Sequence, residues 1–318
     1  MSETTPLMPR PANAPQTDSH PIYLRACHSP WRIINQKALA VIRLVMTGYL
    51  MAVAGVSMKY KLENEDGHTR WRIPFQFSTV SFVLLLAYNL QVTVWTIMHL
   101  LLPRPVQEDA NDCHGHRARS RVLSFLSPPN RANCRNRRFF FSMFYTAAHV
   151  FTFMNTIIYW AILVPAGHGG FKTPHFPHHH HSPHNQTRAL YDPHKGLFEE
   201  DDIKAFSIIN VWSVTSVIGL MEVMFFNSIR RQTPVASHVA GMMFASGTYL
   251  AWAGLGKLAT GHSGLFFLDP SLMGDVKEAT VAASLAFISL SPGIFSYMYG
   301  LIAMRESMTA NHDSNRLN

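Results

Sequence analysis

Long apolar runs alternate with polar stretches along the whole chain. A helix needs ~20 residues to cross a hydrocarbon core. Six runs reach that length, at about 38–58, 75–102, 139–164, 205–226, 235–258 and 281–304. The pattern predicts an all-α fold, a six-span transmembrane helical bundle over residues 37–305. The tails 1–36 and 306–318 lie outside it, and the first, carrying Pro6, Pro9, Pro11, Pro15 and Pro21, is expected to be disordered. Residues 59–74 read as a short polar loop closed by Trp71, an aromatic of the interfacial type. The second span is slightly long, which predicts tilt. Gly241, Ala245, Gly247, Ala251 and Gly254 give the fifth a face for close helix contact. Pro292-Gly293 predicts a kink in the sixth that neighbouring helices can tolerate.

Polar residues inside these runs single out particular helices. The fourth carries Asn210, Thr215 and Glu222 and stops on Arg230-Arg231. A carboxyl in hydrocarbon costs about 3 kcal/mol on insertion scales, so two readings stand for Glu222. Either it faces other helices as a functional group, or it lies close enough to the boundary to pair with Arg230. Arg43, near one end of the first span, is expected to snorkel to the headgroups.

Composition agrees with a membrane protein. Of the 318 residues 47% are hydrophobic and 14% charged, well below the ~25% charge of soluble domains. Mean hydropathy is only +0.04 because apolar runs and basic loops offset one another. The formal charge of +8 is therefore read through topology, and nothing points to nucleic acid. Arg104, Arg117, Arg119, Arg121, Arg131, Arg135, Arg137 and Arg138 crowd the 103–138 loop, whereas the loops opposite hold the acidic run Glu199-Glu200-Asp201-Asp202. The positive-inside rule then places both termini in the cytosol. Cys27, Cys113 and Cys134 fall on that reducing side, too few and too irregular for disulfides or zinc. No apolar signal segment opens the chain, so the first span is expected to direct insertion.

The 165–204 loop is expected on the luminal face, with the glycosylation triplet Asn185-Gln186-Thr187. It also carries His175, His178 to His181, His184 and His194, interleaved with prolines. Neutral imidazoles are good ligands for zinc, copper or nickel. The same composition equally describes a low-complexity loop, and no Cys or carboxylate is spaced to complete a rigid site.

Three motifs then carry a family resemblance over roughly residues 36–305. The first is Trp71-Arg-Ile-Pro-Phe-Gln-Phe-Ser-Thr79, an aromatic-rich run entering a span. The second is Trp212-Ser-Val-Thr-Ser-Val-Ile-Gly-Leu-Met-Glu222. The third is Trp252 with Thr260-Gly261-His262 and Phe266-Phe-Leu-Asp-Pro270. Together they resemble the androgen-induced and androgen-dependent-TFPI-regulating membrane proteins and their fungal relatives. Members of known activity hydrolyse lipid esters, notably fatty acid esters of hydroxy fatty acids, with a threonine nucleophile. The resemblance implies Thr79 as nucleophile, membrane lipids as surroundings, a lipid ester as substrate, and no cofactor or metal. It also implies an endomembrane location such as the endoplasmic reticulum.

One departure is decisive for the chemistry. The family's catalytic histidine falls on Trp212, or on Val211 if a gap is allowed, and neither accepts a proton. A threonine hydroxyl needs a base within hydrogen-bond reach. On the expected topology His262 and His149 are the histidines that can approach Thr79, while His99 and His238 lie toward the cytosolic ends. The alternative is an inactive relative that binds lipid or serves as a scaffold.

Overall fold

The computed structural model describes residues 22–64, 70–101, 135–165, 202–261, 264–268 and 277–314. The first described helix is short, α1 (Ile22–Ala26). Next come α2 (Gln36–Asn64), a 3-10 turn at Arg70–Phe75, and α3 (Phe77–Leu101). Helix α4 runs Arg135–Ile157 and continues through a wider π segment, Ile158–Leu163. Helix α5 (Asp202–Phe226) contains two π segments, Asn210–Val214 and Glu222–Phe226. Then follow α6 (Val235–Thr260), a 3-10 turn at Phe266–Leu268, and α7 (Lys277–Ser314).

Five helices, α2, α3, α4, α5 and α7, are long and apolar enough to cross a membrane. Helix α6 has comparable length but does not reach the same length-and-composition threshold. The outward faces support a bilayer environment. On α2, Val41, Leu44, Val45, Met51 and Val56 are exposed, while Leu39, Arg43, Thr47, Leu50 and Val53 turn inward at helical spacing.

Aromatic packing joins the helices. Trp95 of α3 and Phe141 of α4 lie 5.1 Å apart, and Tyr23 of α1 packs on both. Residues 22–35 are therefore part of the fold, which corrects the expectation of a disordered tail through residue 36. The polar loop expected at 59–74 is also revised, because α2 continues to Asn64 and the next turn begins at Arg70. Likewise α7 continues past 305, and Glu306 pairs with Arg231 at 2.8 Å.

Pro292 sits within α7. A proline donates no N–H to the carbonyl four residues back, which here is that of Ile288. Ser291 Oγ donates to that carbonyl at 2.9 Å, so the freed acceptor stays satisfied.

The largest departure from expectation concerns Arg43. It does not snorkel. Its guanidinium is 1% exposed and donates to Glu222 Oε1 at 2.7 Å, Thr96 Oγ1 at 2.6 Å and the Phe226 carbonyl at 2.6 Å. Glu222, also 1% exposed, thus faces other helices, and its partner is Arg43 in place of Arg230. Tyr88 O–H donates to the same carboxylate oxygen at 3.3 Å.

The pair closes the end of α5. A helix end leaves its last carbonyls without backbone donors, and in hydrocarbon each would be costly. Here every carbonyl of Glu222–Phe226 has a donor from outside that segment. Asn227 serves Glu222, Arg305 serves Val223 at 2.6 Å, Trp31 Nε1 serves Met224 at 2.8 Å, Ser29 serves Phe225 at 2.6 Å, and Arg43 serves Phe226. Arg305 also donates to Asn227 and to the Ile229 carbonyl.

Two predictions follow from this burial. Removing one partner of a buried ion pair strands the other charge and costs about 3–5 kcal/mol. Glu222→Ala should therefore destabilise the protein by that order in equilibrium unfolding from detergent micelles. The double variant Arg43→Met/Glu222→Met should lie closer to wild type than either single variant, and additive losses would refute the coupling. The second concerns Cys27, whose thiol is buried beneath α1 and donates to the Tyr23 carbonyl at 3.2 Å. Burial pushes it up from 9.0 to about 12, against the opposing pull of the Arg43 charge. The folded chain then holds a proton that the unfolded chain releases. Its contribution to stability is full below about pH 9 and falls as pH rises through about 12. In a Cys113→Ser/Cys134→Ser background, Cys27 should resist maleimide at pH 8 until the protein is unfolded.

Candidate functional site

Thr79 lies in the first turn of α3, half-buried, with its N–H on the Gln76 carbonyl at 3.1 Å. The turn leading into it is pinned from α6. Tyr249 O–H donates to the Phe75 carbonyl at 2.9 Å and Trp252 Nε1 to the Pro74 carbonyl at 3.1 Å. Two glycines let the chain approach. A Cβ at Gly264 would lie 1.8 Å from the Phe75 carbonyl oxygen, and one at Gly256 would lie 2.5 Å from the Phe75 ring. Gly261, with φ 74°, ends α6 and donates its N–H to the Lys257 carbonyl. Trp252, one element of the family resemblance, thus bears on the turn that presents Thr79.

The side chain brought to Thr79 is Lys61, from the last turn of α2. Its Nζ donates to Gln76 Oε1 at 2.6 Å and lies 3.4 Å from Thr79 Oγ1. Sequence reading missed this residue because it placed Lys61 in a loop. The signal available was spacing: extending the 38–58 helix by one more turn puts Lys61 near the entrance to the next span.

Of the two expected bases, His262 lies outside the described residues, and His149 is not brought there. His149 is fully buried in α4, with its ring against Tyr88 and Tyr145. Tyr88 is nine positions beyond Thr79 on α3, about 13 Å at 1.5 Å per residue. His149 Nδ1 carries the proton, because it bonds the Tyr145 carbonyl at 2.8 Å and a carbonyl only accepts. Its Nε2 is buried with no hydrogen-bond partner among the described residues. The ring belongs to the middle of the bundle, beside the Tyr88–Glu222 contact.

Trp212 is also turned from Thr79. Its ring stacks on Tyr159 of α4, 4.5 Å between centroids and 21° between planes. The π segment that holds it is braced from α4. Asn155 Nδ2 donates to the Val211 carbonyl at 3.1 Å, and Thr156 Oγ1 donates to the Trp212 carbonyl. Val211 packs instead on the cluster of Leu50, Val53, Phe82 and Ile218 between α2 and α3. Of the two residues to which the resemblance assigns the histidine position, Val211 is therefore the one that packs into the cluster shared with α2 and α3.

No protein-family model, curated protein or solved structure matches the chain.

Proposed function

We propose that the chain is a six-span endomembrane protein with both termini in the cytosol, α6 serving as the fifth span, and that it hydrolyses lipid esters at Thr79. The observation that carries this reading is the approach of Lys61 Nζ to Thr79 Oγ1 at 3.4 Å, in a turn fixed by α6. A hydroxyl nucleophile requires a neighbouring base, and lysine performs that role in Ser–Lys hydrolases. The neutral amine is the reactive form. With one N–H held on Gln76 Oε1, its lone pair takes the Thr79 proton as Oγ1 attacks the ester carbonyl. The alkoxide then leaves as the alcohol with that proton, and water releases the acid from the acyl-threonine by the same base. Thr79 sits at the amino end of α3, where the positive end of the helix dipole favours an oxyanion.

The test is ester hydrolysis, with fluorophosphonate labelling in parallel, by protein reconstituted into liposomes. Thr79→Ala should abolish both. Lys61→Met should lower turnover by about 10²–10⁴, the usual contribution of a general base. Lys61→Arg should lower it comparably, because a guanidinium stays protonated. Val211→His should raise turnover in a Thr79-dependent way, and Trp212→His should not. Activity that survives Thr79→Ala refutes the assignment. A wild type that is folded, inert and still retains lipid would make the chain a lipid-binding relative.

A further inference from the structure

At the end of the bundle opposite Thr79, where α3 finishes and α4 and α6 begin, lies a cavity of about 660 Å³. That volume falls within the ~300–1,000 Å³ of small-molecule sites. We infer that this cavity binds the phosphate headgroup of an anionic phospholipid.

The charge of the wall is the first argument. Arg25 from α1, Arg138 from α4 and Arg230 with Arg231 from the α5–α6 turn line it, and no carboxylate lines it among the described residues. Arg231 is held from outside by Glu306, its Nε on Oε2 at 2.8 Å. Arginines contributed by three segments suit a phosphate, whose oxygens accept guanidinium donors. The second argument is the start of α6. Thr233, Pro234, Ser237 and His238 form one side of the cavity, and Pro234, the N-cap, contributes no side-chain capping bond. The positive end of a 26-residue helix thus opens onto the arginines, a further preference for an anion.

The third argument decides between a lipid and a dissolved anion. The cavity lies at the level where two helices enter their apolar stretches, and Phe139 and Phe140 flank it, the latter 70% exposed. A headgroup among the arginines would place its acyl chains along that outward aromatic surface. Basic pockets between helices at the interface take anionic headgroups in this manner. The floor is polar and rigid. Ser142 Oγ bonds His238 Nε2 at 2.9 Å, and His238 Nδ1 donates to the Pro234 carbonyl at 3.0 Å. The histidine ring is thereby held in place from both sides.

The test uses the full chain in nanodiscs of phosphatidylcholine and a fluorescent short-chain phosphatidylinositol 4-phosphate as probe. Wild type should bind the probe with an affinity that falls as salt rises. Arg138→Gln/Arg230→Gln, which alters two exposed side chains, should weaken binding at least tenfold with an unchanged melting temperature in phosphatidylcholine alone. Arg138→Gln by itself serves if the pair lowers that temperature, and should weaken binding severalfold. Inositol 1,4-bisphosphate and inorganic phosphate should compete at least tenfold less well than unlabelled short-chain lipid. Probe affinity unchanged in the arginine variants would overturn the site. Equal competition by the soluble phosphates would overturn the lipid assignment.

Discussion

The bundle depends on one buried ion pair. Arg43 and Glu222 approach within 2.7 Å at positions that water does not reach, and each would be untenable without the other. Their position explains why so many segments meet there. Glu222 opens the last π segment of α5, whose carbonyls need donors that the helix itself does not supply. Arg43 from α2, Arg305 from α7 and Trp31 with Ser29 from the linker after α1 provide them. One helix terminus thus recruits the first and last long helices of the described fold. The polar residues in these apolar runs are cross-links, and the aromatic core around Tyr88, Tyr145 and Phe141 fills the space between them.

The two ends of the bundle are held by different physics. At the Glu222 end the ties are charge-assisted hydrogen bonds to carbonyls, the stronger class. At the Thr79 end they are close backbone contacts made through Gly256 and Gly264, with neutral donors from Tyr249 and Trp252. The second arrangement positions a turn without introducing charge beside it. Lys61 Nζ is then the side-chain group brought against the Thr79 hydroxyl.

Much of this was legible in the chain. The apolar runs predicted six spans, of which five are helices long and apolar enough to cross a membrane, and the suspicion attached to an acid in a span led to Glu222. Arg43 was misjudged because single-helix reasoning weighs an arginine against the nearest surface, whereas its partner lies 179 residues away. Lys61 was missed for a related reason, since hydropathy marks where a helix leaves hydrocarbon and α2 continues beyond that point to Asn64. Trp212 and Val211 were indistinguishable in one dimension. In the fold Trp212 stacks on Tyr159 while Val211 packs on the cluster of Leu50, Val53, Phe82 and Ile218, and the widened turn that carries both rotates side chains in a way that no regular 3.6-residue period anticipates.

The distance between Arg43 and Glu222 along the chain bears on how the protein is made. Helix α2 emerges long before α5, so its arginine enters the bilayer with no acid to meet, at an insertion cost of about 2.5–3.5 kcal/mol. Until α5 follows, the Arg43 guanidinium lacks the carboxylate that pairs with it in the fold, and α7 comes last in the chain with Arg305 for the same helix end.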